Sequence, residues 1–169
     1  MSGPGRVEPF DPARHSVRAF VSGRPSLDRW LSSFAGQAER RDAARTFVTA
    51  DSERVVIGFY TLVVAELAYE EATHATRRGL SRRFPIPVCL IARLAVRVEN
   101  QGQGIGSDLL HDALRRVIRA GEDVGIRAVI VDAIDADAAR FYRHYGFEGF
   151  TDDDLTLMVP MEAVRRLIA

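Results

Sequence analysis

Apolar and polar residues follow two different periods along this chain, and each period assigns an element. Behind Pro25 and Ser26, residues Leu27, Trp30, Leu31 and Phe34 recur at steps of three and four. This spacing predicts a helix running to Arg41, with Ser26 as its cap. Residues 46–50 and 55–64 are rich in β-branched and aromatic side chains and are separated by Asp51-Ser52-Glu53-Arg54. They read as an antiparallel hairpin. Residues 66–84 are polar and arginine-bearing and read as a loop or short helix. Pro85 and Pro87 precede a long strand, Val88 to Val98, with few charges. A glycine-rich stretch follows. Leu109, Leu110, Ala113, Leu114, Val117, Ile118 and Gly121 then mark a strongly amphipathic helix, and Gly125 closes that helical region. Residues 128–133 read as a buried strand. Asp135 or Asp137 caps a short helix through Ala138, Ala139, Phe141 and Tyr142, which Gly146 terminates. Residues 155–159 form the last predicted strand.

In this order an antiparallel front half meets a strand–helix–strand unit whose two strands should be parallel. The fold class expected is α+β: a mixed sheet with antiparallel N-terminal strands, a central strand–glycine loop–helix, and flanking helices. No repeat or low-complexity segment is visible. Residues 1–169 are read as a single domain, with residues 1–5 frayed.

Composition narrows the class. The chain has 169 residues, 47% of them apolar, which is enough for a full core. No apolar run approaches the roughly 20 residues needed to cross a bilayer. The stretch MSGPGRVEPFDPARH lacks the apolar centre of a secretion signal, so the cytoplasm is expected. The single cysteine, Cys89, lies in an apolar strand-like run with no base beside it, and reads as a small buried hydrophobe. No metal site is expected. The 23 basic residues are all arginine and balance 23 acidic ones, so no global field advertises a polyanionic partner. Arginines do cluster locally, as in Arg93 with Arg97 and Arg140 with Arg143.

The candidate chemistry begins with Val98-Glu99-Asn100-Gln101-Gly102-Gln103-Gly104-Ile105-Gly106-Ser107. A helix N-terminus carries unpaired N–H groups and a partial positive charge. Glycines ahead of it let the backbone approach an anion and adopt positive φ. The stretch therefore reads as a phosphate cradle, most simply for a pyrophosphate. A Walker-type loop is excluded by its missing lysine and spacer. A dinucleotide fingerprint fits poorly, because Ser107 stands where the third glycine or alanine belongs.

Gln101-Gly102-Gln103-Gly104-Ile105-Gly106 resembles the Gln/Arg-x-x-Gly-x-Gly/Ala loop of the GNAT acetyltransferase superfamily. Ile91-Ala92-Arg93-Leu94-Ala95-Val96 is similar to the family's central strand. Ala138-Ala139-Arg140-Phe141-Tyr142-Arg143-His144-Tyr145-Gly146-Phe147 is similar to its closing helix and the start of the next strand. Phe20-Val21-Ser22-Gly23, Leu27-Asp28-Arg29-Trp30-Leu31 and Ile57-Gly58-Phe59-Tyr60-Thr61-Leu62 resemble the front half of one branch. That branch comprises toxins of toxin–antitoxin pairs that acetylate the amino group of aminoacyl-tRNA. The resemblance covers residues 10–160.

The resemblance implies acetyl-coenzyme A as acetyl donor. Its pyrophosphate would lie on Gln101, Gly102, Gln103, Gly104, Ile105, Gly106 and Ser107, and its thioester on the N–H groups of Leu94, Ala95 and Val96. Phe141 would flank the coenzyme. Asp135 stands where many members carry an asparagine near it, and a carboxylate cannot donate a hydrogen bond there. Tyr142 would protonate the departing sulfur. A phenol with a pKa of about 10 holds its proton at neutral pH, so it can serve as a general acid without tuning. No base is assigned; Glu66 and His144 qualify by chemistry alone. Arg93, Arg97, Arg140 and Arg143 would take tRNA phosphates. A cognate antitoxin is the implied protein partner, and homodimerisation is plausible on the same ground. Two other readings stay open: an acetyltransferase for a small amine or a protein N-terminus, and a non-catalytic acetyl-coenzyme A-binding module.

Overall fold

The computed structural model describes residues 4–168. In chain order these are β1 (Glu8–Pro9), α1 (Pro25–Ser33), α2 (Ala35–Arg40), β2 (Arg45–Ala50) and β3 (Val56–Leu67). A 3₁₀ turn (Tyr69–Glu71), α3 (His74–Arg77) and β4 (Ile86–Val96) follow. A second 3₁₀ turn (Val98–Asn100) precedes α4 (Ile105–Ala120), β5 (Ala128–Asp132), α5 (Ala136–His144), β6 (Thr156–Pro160) and α6 (Met161–Ile168). The sheet order is β1-β2-β3-β4-β5-β6. β1–β2 and β2–β3 are antiparallel, β4–β5 parallel, and β5–β6 antiparallel. This is the mixed α+β architecture the sequence predicts, including the parallel strand–helix–strand unit.

The chain divides into two compact units: Met1–Val63 with Ala92–Ala113, and Val64–Ile91 with Leu114–Ala169. In the first, Phe59 is fully buried on β3. Phe20 meets it edge-on at 5.5 Å and Trp30 stacks on it at 6.4 Å. Phe10, Leu31, Ala35, Val48, Val56 and Ala95 belong to the same cluster. Thr46 and Thr61 bury their hydroxyls together at 2.9 Å, which satisfies both. In the second, Leu67, Ile86, Val88, Ile130 and Met158 form the core.

Several boundaries differ from the expectation. The helix predicted over 25–41 is two helices. Phe34 breaks it at φ −123°, ψ −27°, and Gly36 then approaches Pro12 so closely that a Cβ would lie 3.1 Å from its ring. Ser26 is not the cap. Arg24 occupies that position with no side-chain capping bond, and Pro25 takes the first helical site, where its missing N–H costs nothing. β4 starts at Ile86, so Pro87 lies inside the strand; there its carbonyl accepts from Arg127 N at 2.8 Å. β3 runs on to Leu67, α3 falls within residues 66–84 where a loop or short helix is expected, and β1 and α6 were not anticipated. The expected fraying of residues 1–5 falls, for Met1–Gly3, outside the described residues. Gly5 is held: its N–H donates to Ala50 O at 2.8 Å, and its carbonyl accepts from Thr49 Oγ1 at 2.7 Å.

Candidate functional site

In the first unit β4 ends at Val96, the second 3₁₀ turn follows, and α4 begins at Ile105. Gly102 has φ +78° and Gly104 φ +85°. A Cβ on either would meet nothing within 4 Å, so the requirement for glycine is dihedral and not steric. That open space suits an incoming phosphate. Ile105 is buried and pins the start of the helix. Gly106 and Ser107 lie in the first turn of this 16-residue helix, the end of a helix at which backbone N–H groups and the dipole favour an anion. Gln103 is exposed. The Gln101 side chain donates to Ser22 O at 2.8 Å and to Val96 O at 2.9 Å.

Leu94, Ala95 and Val96 lie at the end of β4, with Ala95 buried. Gly58 on β3 lets α4 come close: a Cβ there would stand 2.9 Å from Leu109 Cδ1 and 3.3 Å from Ala95 O. Arg93 sits over the Trp30 ring at 4.3 Å, and burial lowers its pKa. Arg97 Nε reaches Glu99 Oε2 at 3.0 Å and Asn100 Oδ1 at 2.9 Å.

In the second unit α5 carries Phe141 and Tyr142. Asp135 caps it, its Oδ1 accepting from Ala138 N at 2.9 Å. At the other end Gly146, at φ +93°, lets its own N–H donate to Arg143 O at 3.0 Å and the Phe147 N–H donate to Tyr142 O at 3.3 Å. Tyr142 is 6% exposed and meets Phe141 and Phe147 edge-on at 5.2 and 5.5 Å. Arg140 pairs with Asp137. Arg143 donates to Thr151 O at 3.0 Å and Asp154 O at 2.9 Å.

A family profile described as "Acetyltransferase (GNAT) domain" matches residues 42–149, which include both the glycine loop and α5. The chain belongs to the GNAT acetyltransferase family. A curated relative, the tRNA-acetylating toxin of Mycobacterium tuberculosis, is 40% identical over 167 residues, covering 99% of this chain and 96% of that protein. Among solved structures, AtaT complexed with acetyl-methionyl-tRNAfMet matches at TM-score 0.86 and 25% identity, over 97% of this chain and 99% of that one. AtaTR bound with AcCoA matches at TM-score 0.83 and 26% identity, over 97% and 98%.

Within this GNAT domain, Cys89 is buried, and desolvation pushes its thiol up to about 11; it is no nucleophile at neutral pH. Glu66 and His144 are both exposed. Among the described residues no group of His, Cys, Asp and Glu is arranged to hold a metal, and no helix is long and apolar enough to cross a membrane. The sequence reading gave no part to two residues at which β3 meets α4. Gly58 was detectable as a glycine inside a strand pattern, which marks close approach of another element. Asp112, which accepts from the buried Tyr60 hydroxyl, had no local signal.

Proposed function

We propose that this acetyltransferase moves the acetyl group of acetyl-CoA to the α-amino group of an aminoacyl-tRNA and thereby blocks translation, as a toxin restrained by a cognate antitoxin in the cytoplasm. The observation that carries this reading is the 40% identity to a tRNA-acetylating toxin over 99% of the chain. The match to AtaT, solved with acetyl-methionyl-tRNAfMet, supports the same acceptor.

Acetyl-CoA is here a substrate: its thioester carbonyl is attacked by the neutral amine, the C–S bond breaks so that coenzyme A departs as a thiolate, and the proton shed by the new amide nitrogen passes to water. Backbone N–H groups from Gly102 to Ser107 hold the pyrophosphate, helped by the positive end of α4. N–H groups of Leu94, Ala95 and Val96 hold the thioester oxygen as it gains charge. Tyr142 gives its phenolic proton to the sulfur, and Phe141 flanks the coenzyme. Asp135, a carboxylate, adds no donor. Arg93, Arg97, Arg140 and Arg143 meet tRNA phosphates. Carboxylate partners of Arg97 and Arg140 compete with phosphate and reduce what those two contribute.

The test is incubation with radiolabelled acetyl-CoA and bulk charged tRNA, beside uncharged tRNA. Label on charged tRNA alone is the expected result. Label on small amines or protein N-termini, with charged tRNA unlabelled, overturns the acceptor. Coenzyme binding without any transfer overturns the enzyme.

A further inference from the structure

Gln101 opens the glycine loop, and its side chain has a use other than the phosphate. Both amide hydrogens of Nε2 are committed, to Ser22 O at 2.8 Å and Val96 O at 2.9 Å. The amide orientation follows from these partners, since two carbonyl oxygens can only accept. What remains is Oε1, an acceptor, which repels an anion. Gln101 therefore has no donor left to offer a pyrophosphate.

The other end of this connection is equally fixed. Ser22 is buried. Its N–H donates to the Asp28 carboxylate at 3.1 and 3.2 Å, and its hydroxyl donates to Asp28 Oδ1 at 2.6 Å. Asp28 lies in the first turn of α1. One residue before Ser22, Val21 O accepts from Val98 N at 2.8 Å. A continuous set of hydrogen bonds thus runs from α1 through residues 21–22 to both sides of the loop's entry and to the last carbonyl of β4. The physical need is plain. Gly102 and Gly104 give the loop more backbone freedom than any other residues, and an array of N–H groups binds an anion well only when ordered beforehand. A latch immediately ahead of Gly102 removes that freedom at its hinge.

We propose that Gln101 is a positioning residue that latches the glycine loop in its binding shape, and that Ser22 and Asp28 form the anchored end of the same latch. The proposal rests on the reading that this loop binds acetyl-CoA.

Calorimetric Kd for acetyl-CoA, with steady-state KM and kcat, tests it in Gln101→Glu, Asp28→Ala and the double variant. Gln101→Glu keeps the shape and loses both donors. Each single change should raise Kd and KM for acetyl-CoA roughly tenfold, about what one charge-assisted or buried hydrogen bond supplies, with kcat within about twofold. The double variant should be no worse than the worse single, because either change opens the same chain. Asp28 has no reason to touch a phosphate, so an unchanged Kd in Asp28→Ala overturns the latch. So do effects that multiply in the double variant, and so does a lowered Tm with Kd unaltered. If Asp28→Ala does not fold, Ser22→Ala, which deletes one hydroxyl, must move Kd in the same direction or the proposal fails. A wild-type protein that binds no acetyl-CoA overturns the functional reading and the latch with it. Wild-type binding with unchanged variants overturns the latch alone.

Discussion

Tyr142 packs with its ring and, in the proposed reaction, acts with its hydroxyl, so one substitution separates the two. Tyr142→Phe keeps the edge-on contacts to Phe141 and Phe147. Acetyl transfer should fall by roughly 10²–10⁴-fold, the usual contribution of a general acid. Calorimetric acetyl-CoA affinity and Tm should stay where they are. Asp135 is the converse case, with a structural part that can be tested by itself: its Oδ1 caps α5. Asp135→Ala removes the acceptor for Ala138 N and should cost about 1 kcal/mol in urea unfolding, whereas Asp135→Asn retains an acceptor and should cost little. The cap was legible, because an Asp just ahead of an apolar-periodic run is a local signal. Whether that carboxylate had anything left for a ligand was not, because hydrogen-bond commitment is settled only in three dimensions.

Among the elements, the loop ahead of α4 is held by dihedral demand and the helix by close packing. Gly104→Ala meets no steric obstacle but must hold φ +85°, at about 1–2 kcal/mol. Its loop should relax, and acetyl-CoA affinity measured by calorimetry should weaken. Gly58→Ala meets Leu109 and the Ala95 carbonyl instead, so it should lower Tm as overpacking does, by about 1–3 kcal/mol. The turn after α5 responds to pH. Its Asp154 carboxylate accepts from the Thr151 hydroxyl at 2.8 Å and from the backbone of Thr151 and Phe150, with Arg143 adding charge, and these hold its pKa below the usual range. A depressed carboxylate pKa stabilises the fold at pH above the unfolded value of about 3.9 and loses that effect as pH falls through the folded value. The protection factors of the Phe150 and Thr151 amides, corrected for intrinsic exchange, should therefore fall below that pH, ahead of those of α5.

For the whole molecule, zero net charge means that any tRNA contact is local rather than a matter of general attraction. Four arginines each neutralising one phosphate would give a slope of log K against log salt of about −3.6 for duplex geometry. The carboxylates beside Arg97 and Arg140 already neutralise part of that charge. The dependence of KM for charged tRNA on salt, measured from about 50 to 200 mM, should thus be negative in affinity but shallower than that figure. A flat dependence would point to a small amine or peptide as acceptor.

The sequence by itself determined the elements, the glycine loop, the cap and stop of α5 and the family, because these depend on period, backbone dihedral preference and spacing within a few residues. It left β1, the helix break at Phe34 and the C-terminal helix unread. The break coincides with the close approach of Gly36 to Pro12, a residue far earlier in the chain and outside any local pattern. Met161, Val164 and Ile168 did carry a helical period, hidden behind Pro160 at the end of β6. Only the tertiary structure decided what the functional side chains are free to do. Gln101 meets Ser22 across 79 positions, Tyr60 meets Asp112 across 52, and Arg93 lies over Trp30. A side chain's donors and acceptors are consumed by whichever partners the fold brings near, and no local pattern records those partners.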